Sequence, residues 1–196
     1  VFTTQLSSKV FGAIGVTFLG LFSSNVEVGT FSAIQKIPHI IMLAWTPISQ
    51  VLYPVISQKM QISFNEGEEY IKKTKRIFLS AFVCLATIVG VFSKTVVKVA
   101  FGVEYVEKFY WILPLLAWTI VSINNNFMGI QTLLASNHDK EYSACFQIGV
   151  AITIVLNLVL TRLFGGDGAS IAPVLSEIAL SVLLKNQIRK IKTRGI

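Results

Sequence analysis

Charged residues are scarce in this sequence: they make up 14% of 196 residues, where an ordinary soluble domain carries about a quarter. Histidines number two and acidic side chains ten, with no HExxH, no GxSxG and no paired carboxylates among them. Metal-assisted hydrolysis, nucleophilic catalysis and two-carboxylate chemistry therefore lack their reagents; the chain reads as no enzyme, with no cofactor and no metal. Cysteine is limited to Cys84 and Cys145, each inside an apolar block and without metal-like spacing, which excludes a disulfide scaffold and leaves both as packing residues. There is no initiator methionine, no basic leader and no small-residue cleavage pattern, so a signal peptide is not expected, and the chain reads as a fragment of a longer membrane protein.

Hydrophobic residues, in contrast, reach 53%, with a mean hydropathy of +0.67. They fall in blocks of membrane-spanning length, which excludes disorder and argues for an all-α integral membrane protein. Six segments of this kind are expected, at about 2–22, 28–57, 77–97, 110–135, 143–164 and 169–184. Ser23, Ser24, Asn25 and Gly29 mark a tight turn after the first, and Phe164 to Gly168 a hairpin before the last, too short and lysine-poor for a phosphate loop.

The net charge of +7 does not form a stripe with exposed aromatics, so nucleic acid is not an expected partner. Its cations sit beside the apolar blocks instead. Eleven lie on the connections 58–76 and 136–142 and on the tail (Lys59, Lys72, Lys73, Lys75, Arg76, Lys140, Lys185, Arg189, Lys190, Lys192 and Arg194). The other side holds Lys94, Lys98, Lys108 and Arg162, so the positive-inside bias predicts that the eleven, and the C-terminus, are cytoplasmic. Residues 65–76 read as a cap and acidic turn leading into a basic helix anchored at the inner leaflet. Phe101, Tyr105, Phe109, Tyr110 and Trp111 read as an aromatic belt at the outer interface.

Polar residues inside the spans recur at helical spacing. Ser32, Lys36, His39, Thr46, Gln50 and Ser57 share a face of the second segment; Asn125, Asn126 and Thr132 belong to the fourth, Asn157 to the fifth and Glu177 to the sixth, while Lys9 lies in the first. One polar face per helix implies either a seam of helix-to-helix hydrogen bonds or a shared wet cavity. Lys9, Lys36 and Glu177 are ionisable and need snorkelling, pairing or hydration, and His39 stands one turn from Lys36. Two lysines opposite one carboxyl suit an anionic headgroup. Pro38, Pro47 and Pro54 interrupt the second segment, the best candidate for a bending gate; fixed curvature is the other reading.

In its order of motifs the sequence resembles the C-terminal half of the Wzx-type polysaccharide biosynthesis proteins, the O-antigen flippases of the multidrug/oligosaccharidyl-lipid/polysaccharide exporter superfamily. The resemblance is carried by Leu19 to Gly29, by Phe31-Ser32-Ala33 with Gln35-Lys36-Ile37, and by Ser49 to Ser57. Phe101-Gly102, Asn125-Asn126, Gly129-Ile130-Gln131, Asn157-Leu158 and Leu175-Ser176-Glu177 continue it. It implies one six-helix lobe of a two-lobed, MATE-like transporter whose N-terminal lobe is missing here, working by alternating access in the bacterial cytoplasmic membrane. The implied cargo is an undecaprenyl-diphosphate-linked oligosaccharide, with a polysaccharide polymerase or ligase as a downstream partner. Lys9 and Lys36 would engage the pyrophosphate, and Thr46, Gln50, Asn125, Asn126 and Asn157 the sugars. Gly15-Val16 stands where many relatives carry an acidic-basic pair, which puts ion coupling in doubt. A multidrug cation antiporter of the same superfamily and a nontransporting scaffold of a polysaccharide assembly complex are the alternatives.

Overall fold

The computed structural model describes residues 14–193, all but the turns between them helical. Helix α1 covers 14–22, α2 Asn25–Ile62, α3 Phe64–Val91, α4 Ser93–Phe101, α5 Val103–Phe109, α6 Ile112–Ala135 and α7 Asp139–Thr193. Two serines make the sharpest joints. Ser24 caps α2 by accepting a hydrogen bond from the Glu27 N–H at 3.3 Å. Ser63 serves two helices in an extended conformation: its N–H donates to the Lys59 carbonyl at the end of α2, and its Oγ accepts from the Asn65 N–H at the start of α3. The cap is therefore Ser63 and not the expected Asn65.

Helix α7 is broken at Gly165, whose φ of +57° with ψ of −131° is open only to glycine. The chain reverses there, so that arms 139–164 and 166–193 lie antiparallel. A Cβ on Gly149 would sit 3.2 Å from Leu180 Cδ1, and one on Gly168 would run into the Leu160 carbonyl. The second arm runs parallel to α6, as shown by the successive pairs Ile112 with Gly166, Asn126 with Glu177 and Gly129 with Leu184. Helix α3 packs antiparallel to both α2 and α6. At that junction Trp45 of α2 meets Phe78 and Phe82 of α3 and Phe127 of α6, edge to face, with ring centroids 4.8, 5.3 and 5.3 Å apart.

Both ends of the bundle are tied. At one, Glu27 Oε1 accepts from the Gly166 N–H at 2.7 Å, and the Trp111 indole donates to Asp167. At the other, Glu68 at the start of α3 pairs with Lys192 at the end of α7. The first end also carries α4 and α5, where Lys94 stands 4.6 Å from the centre of the Tyr110 ring.

Among the described residues α2, α3 and α7 are long and apolar enough to cross a membrane. The outward faces of α3 and α7 keep large apolar side chains in the open, such as Ile88 at 51% exposure and Val155 at 58%. In water such a surface would aggregate; in a bilayer it is the ordinary lipid-facing wall. The molecule is an all-α, multi-span helical bundle of membrane type.

The closest approach in the bundle gives a stability test. Gly168→Ala is expected to destabilise the full-length protein by about 2 kcal/mol or more, because the obstacle is backbone and not a movable side chain. A lowered thermal unfolding midpoint in detergent, with Gly20→Ala unchanged because its added Cβ meets nothing, would register it.

Candidate functional site: a polar helix face and a basic cleft

The polar residues expected to share one interior fall in separate places. On α2 the buried stripe is Phe31, Ile34, Pro38, Trp45 and Ile56, turned toward the other helices. Lys36, His39, Gln50, Pro47 and Pro54 stand on the opposite side, exposed, and no described helix covers them. The helical turn explains the grouping: steps of three and four residues from 36 through 39, 43, 47, 50 and 54 return to one face. The side chain of Thr46 lies outside the described residues, as does Lys9.

The prolines add to that face. Each removes the hydrogen bond to the carbonyl four residues back. For Pro47 and Pro54 these carbonyls belong to Leu43 and Gln50, on the exposed face, whereas for Pro38 the carbonyl is that of buried Ile34. Helix α2 is continuous through all three.

Glu177 is elsewhere. It is 6% exposed on the second arm of α7 and forms no salt bridge among the described residues. Asn126 of α6 holds it twice, donating Nδ2 to Glu177 Oε2 at 2.6 Å and to the Glu177 carbonyl at 2.7 Å. One turn further on, Asn125 donates to the Ser181 hydroxyl. Asn157 forms a third location: buried on the first arm of α7, it donates to the Thr153 carbonyl at 2.9 Å and lies against Gly15 of α1. Asn125, Asn126 and Glu177 are thus brought together; Lys36, His39 and Gln50 are brought together; Asn157 joins neither group.

The Asn125–Asn126 pair forms the floor of a cleft between α3, α6 and α7, of about 270 Å³. Its rim holds residues that the sequence reading placed only at the leaflet surface: Lys72 and Lys75 of α3 and Lys185 of α7. The cations and the asparagines are far apart in sequence and meet only because α3 begins where α7 ends. Glu68 takes up part of this charge, pairing with Lys72 at 3.3 Å and with Lys192. Burial raises the Glu68 carboxyl, but the two lysines outweigh it and hold the group below its ordinary value of 4.5. Lys75 is half-buried, and burial followed by the neighbouring Lys185 pulls its ammonium below 10.5. Neither Lys75 nor Lys185 has a salt-bridge partner among the described residues. No group of three or more His, Cys, Asp or Glu among the described residues is arranged to hold a metal.

The depressed Glu68 value fixes the sign of a pH effect. The staple between α3 and α7 contributes fully above the unfolded carboxyl value and is lost as pH falls through the folded one. Protection factors from hydrogen exchange at 64–70 and 188–193 are expected to fall as pH drops below about 4.5. Glu68→Gln should show the lower protection already at neutral pH and no acid step.

Two curated proteins resemble the chain along nearly its whole length. A protein of Escherichia coli (strain K12) named "Putative O-antigen transporter" is 27% identical over 199 aligned residues, covering 98% of this chain and 46% of that protein. A protein of Haloferax volcanii named "Probable low-salt glycan biosynthesis flippase Agl15" is 25% identical over 182 residues, covering 92% of this chain and 38% of that protein. The chain therefore spans less than half the length of these relatives. No protein-family model matches it, and no solved structure matches it. Both names describe transporters, a non-catalytic class, in keeping with the expectation that the chain is not an enzyme. With its apolar helices and its polar faces, the chain is a distant, partial match to the polysaccharide and O-antigen flippase transporters.

Proposed function

We propose that the chain is a six-pass lobe of a two-lobed flippase that carries polyprenyl-diphosphate-linked oligosaccharides across the cytoplasmic membrane. The six passes are α1, α2, α3, α6 and the two arms of α7, with the Ser63 end cytoplasmic, as the distribution of lysine and arginine favours. The observation that carries the reading is the open polar face of α2: Lys36, His39 and Gln50, joined by two proline-freed carbonyls, on a helix whose other side carries the buried stripe Phe31, Ile34, Trp45 and Ile56. A cation in hydrocarbon is stable only against water, an anion or another protein surface. A second lobe facing α2 across a wet cavity supplies that setting, and the length of the relatives leaves room for one.

In that cavity the Lys36 ammonium meets the diphosphate, His39 and Gln50 offer hydrogen bonds to it or to the first sugars, and the polyprenyl tail stays in lipid. Lys9, ahead of α1 in the sequence, is assigned to the same wall, as is Thr46. Pro38, Pro47 and Pro54 let α2 bend as the lobes rock between inward-open and outward-open states. Glu177, held by Asn126, and Asn157 are assigned to positioning helices, not to touching cargo. A polymerase or ligase takes the glycan on the far side.

The test is movement of a fluorescent polyprenyl-diphosphate sugar across vesicles containing the full-length protein. Loss of headgroup exposure on the loaded side is expected, and the Lys36→Gln, Gln50→Ala double variant should slow it roughly tenfold, the size expected for losing one charge-assisted contact. A folded full-length protein that moves nothing overturns the flippase reading; undiminished movement in the double variant overturns the α2 face as the cargo path.

A further inference from the structure

We infer that the cleft between α3, α6 and the second arm of α7 is a binding site for a phosphate-bearing headgroup at the surface of the bilayer, separate from the polar face of α2. Three observations converge on it. The first is shape: a 270 Å³ recess has room for a phosphate group and part of what it carries, and it is lined by Lys72, Lys75 and Lys185 over the amide of Asn125, which keeps one N–H beyond its bond to Ser181, and the Ser181 hydroxyl. Ammonium and amide N–H groups are donors, and a phosphate offers oxygens to all of them.

The second is unbalanced charge. Glu68 is the one carboxylate of the rim among the described residues, and its two oxygens are engaged by Lys72 and by Lys192. Lys75 and Lys185 are left facing each other across the recess without an anion among the described residues. Burial, and after it the nearby Lys185, weakens the hold of Lys75 on its proton. A dianionic or monoanionic phosphate between them would reverse that repulsion, and a half-desolvated site makes the attraction stronger than at an open surface.

The third is depth. The apolar stretch of α3 begins at Ile77, directly after the basic run that ends at Arg76, and the apolar stretch of the last helix ends at Leu184, directly before Lys185. Lys75 and Lys185 therefore both stand where their helices leave the hydrocarbon. A cleft whose mouth is at that level meets the phosphates of lipid headgroups first, with the acyl chains lying along the exposed apolar faces beside it. Beside the recess α6 and α7 are in van der Waals contact: a Cβ on Gly129 would lie 3.4 Å from Leu184 Cβ.

Lysine footprinting on the full-length protein tests this without reference to transport. Acetylation rates are read residue by residue by mass spectrometry in vesicles of phosphatidylcholine, in vesicles with added phosphatidylglycerol, and in phosphatidylcholine with soluble pyrophosphate. Lys75 and Lys185 are expected to react roughly tenfold more slowly in phosphatidylglycerol, while the exposed Lys73, which does not line the recess, changes little. Protection by pyrophosphate and not by phosphatidylglycerol would keep the phosphate chemistry and assign it to a soluble or diphosphate source. Equal slowing at Lys73, or no protection by either, overturns the site. Native mass spectrometry supplies an independent readout: Lys75→Gln with Lys185→Gln should lose retained phosphatidylglycerol and Lys73→Gln should keep it, and retention in the double variant overturns the site as well. Flipping could fail in the assay above with this protection intact, so the two readings are separable.

Discussion

A buried carboxyl and a buried amide, Glu177 and Asn126, set the arrangement of everything around them. In hydrocarbon no water stands by to satisfy an orphaned polar group, and leaving one unpaired costs several kcal/mol. The double hydrogen bond from Asn126, to both the side chain and the backbone of Glu177, fixes α6 against the second arm of α7 in rotation and in height. Asn125 to Ser181 and Gly129 to Leu184 then follow at successive turns, as they must when two parallel helices are pinned at one point. The basic cleft exists because of that register. A slip of one residue would carry Ser181 off the floor and Lys185 off the rim.

The same economy governs the ends. Gly165 lets the last helix reverse, and the turn it creates presents the Gly166 N–H to Glu27 and Asp167 to the Trp111 indole. Three segments distant in sequence, the start of α2, the start of α6 and the middle of α7, are thus joined by side chains that reach the turn. At the opposite end Glu68 and Lys192 close α3 onto α7. Between these ties the packing is largely apolar, built from Leu19, Phe31, Ile34, Leu113 and Ala169 near one end and Leu133, Leu180 and Leu184 near the other. In a bilayer such contacts hold by close fit, since lipid tails are no less apolar than leucine.

How much of this could be read from the sequence follows from what helical periodicity contains. It says which residues share a face, so the polar stripe of α2 and the glycine turn before the last arm were both visible in the chain. It does not say what the face meets. Lys36 and His39 recur at helical spacing and so do Asn125 and Thr132, yet the first pair is exposed while Asn125 is bonded to Ser181 of α7. Asn157 lies on a comparable stripe and packs beside α1 instead. Lys72, Lys75 and Lys185 were legible as an excess of charge beside apolar blocks, but their convergence depends on α3 starting where α7 finishes, a fact of topology with no local signature. The start of α3 was misplaced for a smaller reason: Asn65 and Ser63 are both good caps, and only the extended backbone of Ser63 decides between them.

The two polar surfaces are kept apart by one aromatic knot. Trp45, with Phe78, Phe82 and Phe127, fills the space between the inner side of α2 and the helices that form the cleft. Ile71 and Met128 belong to that cluster and also line the cleft, so one wall of the recess is the back of the knot. A hydrated path from the α2 face to the cleft would have to pass through tightly packed rings, which excludes a single continuous polar site in this arrangement. Yet a close-packed core transmits displacement, and α2 is the helix with three prolines in it. A bend in α2 at Pro47 would carry Trp45 against Phe127 and Phe78, which it touches edge to face, and through them reach the wall of the cleft. Separation in polarity and connection in mechanics are consequences of the same four rings.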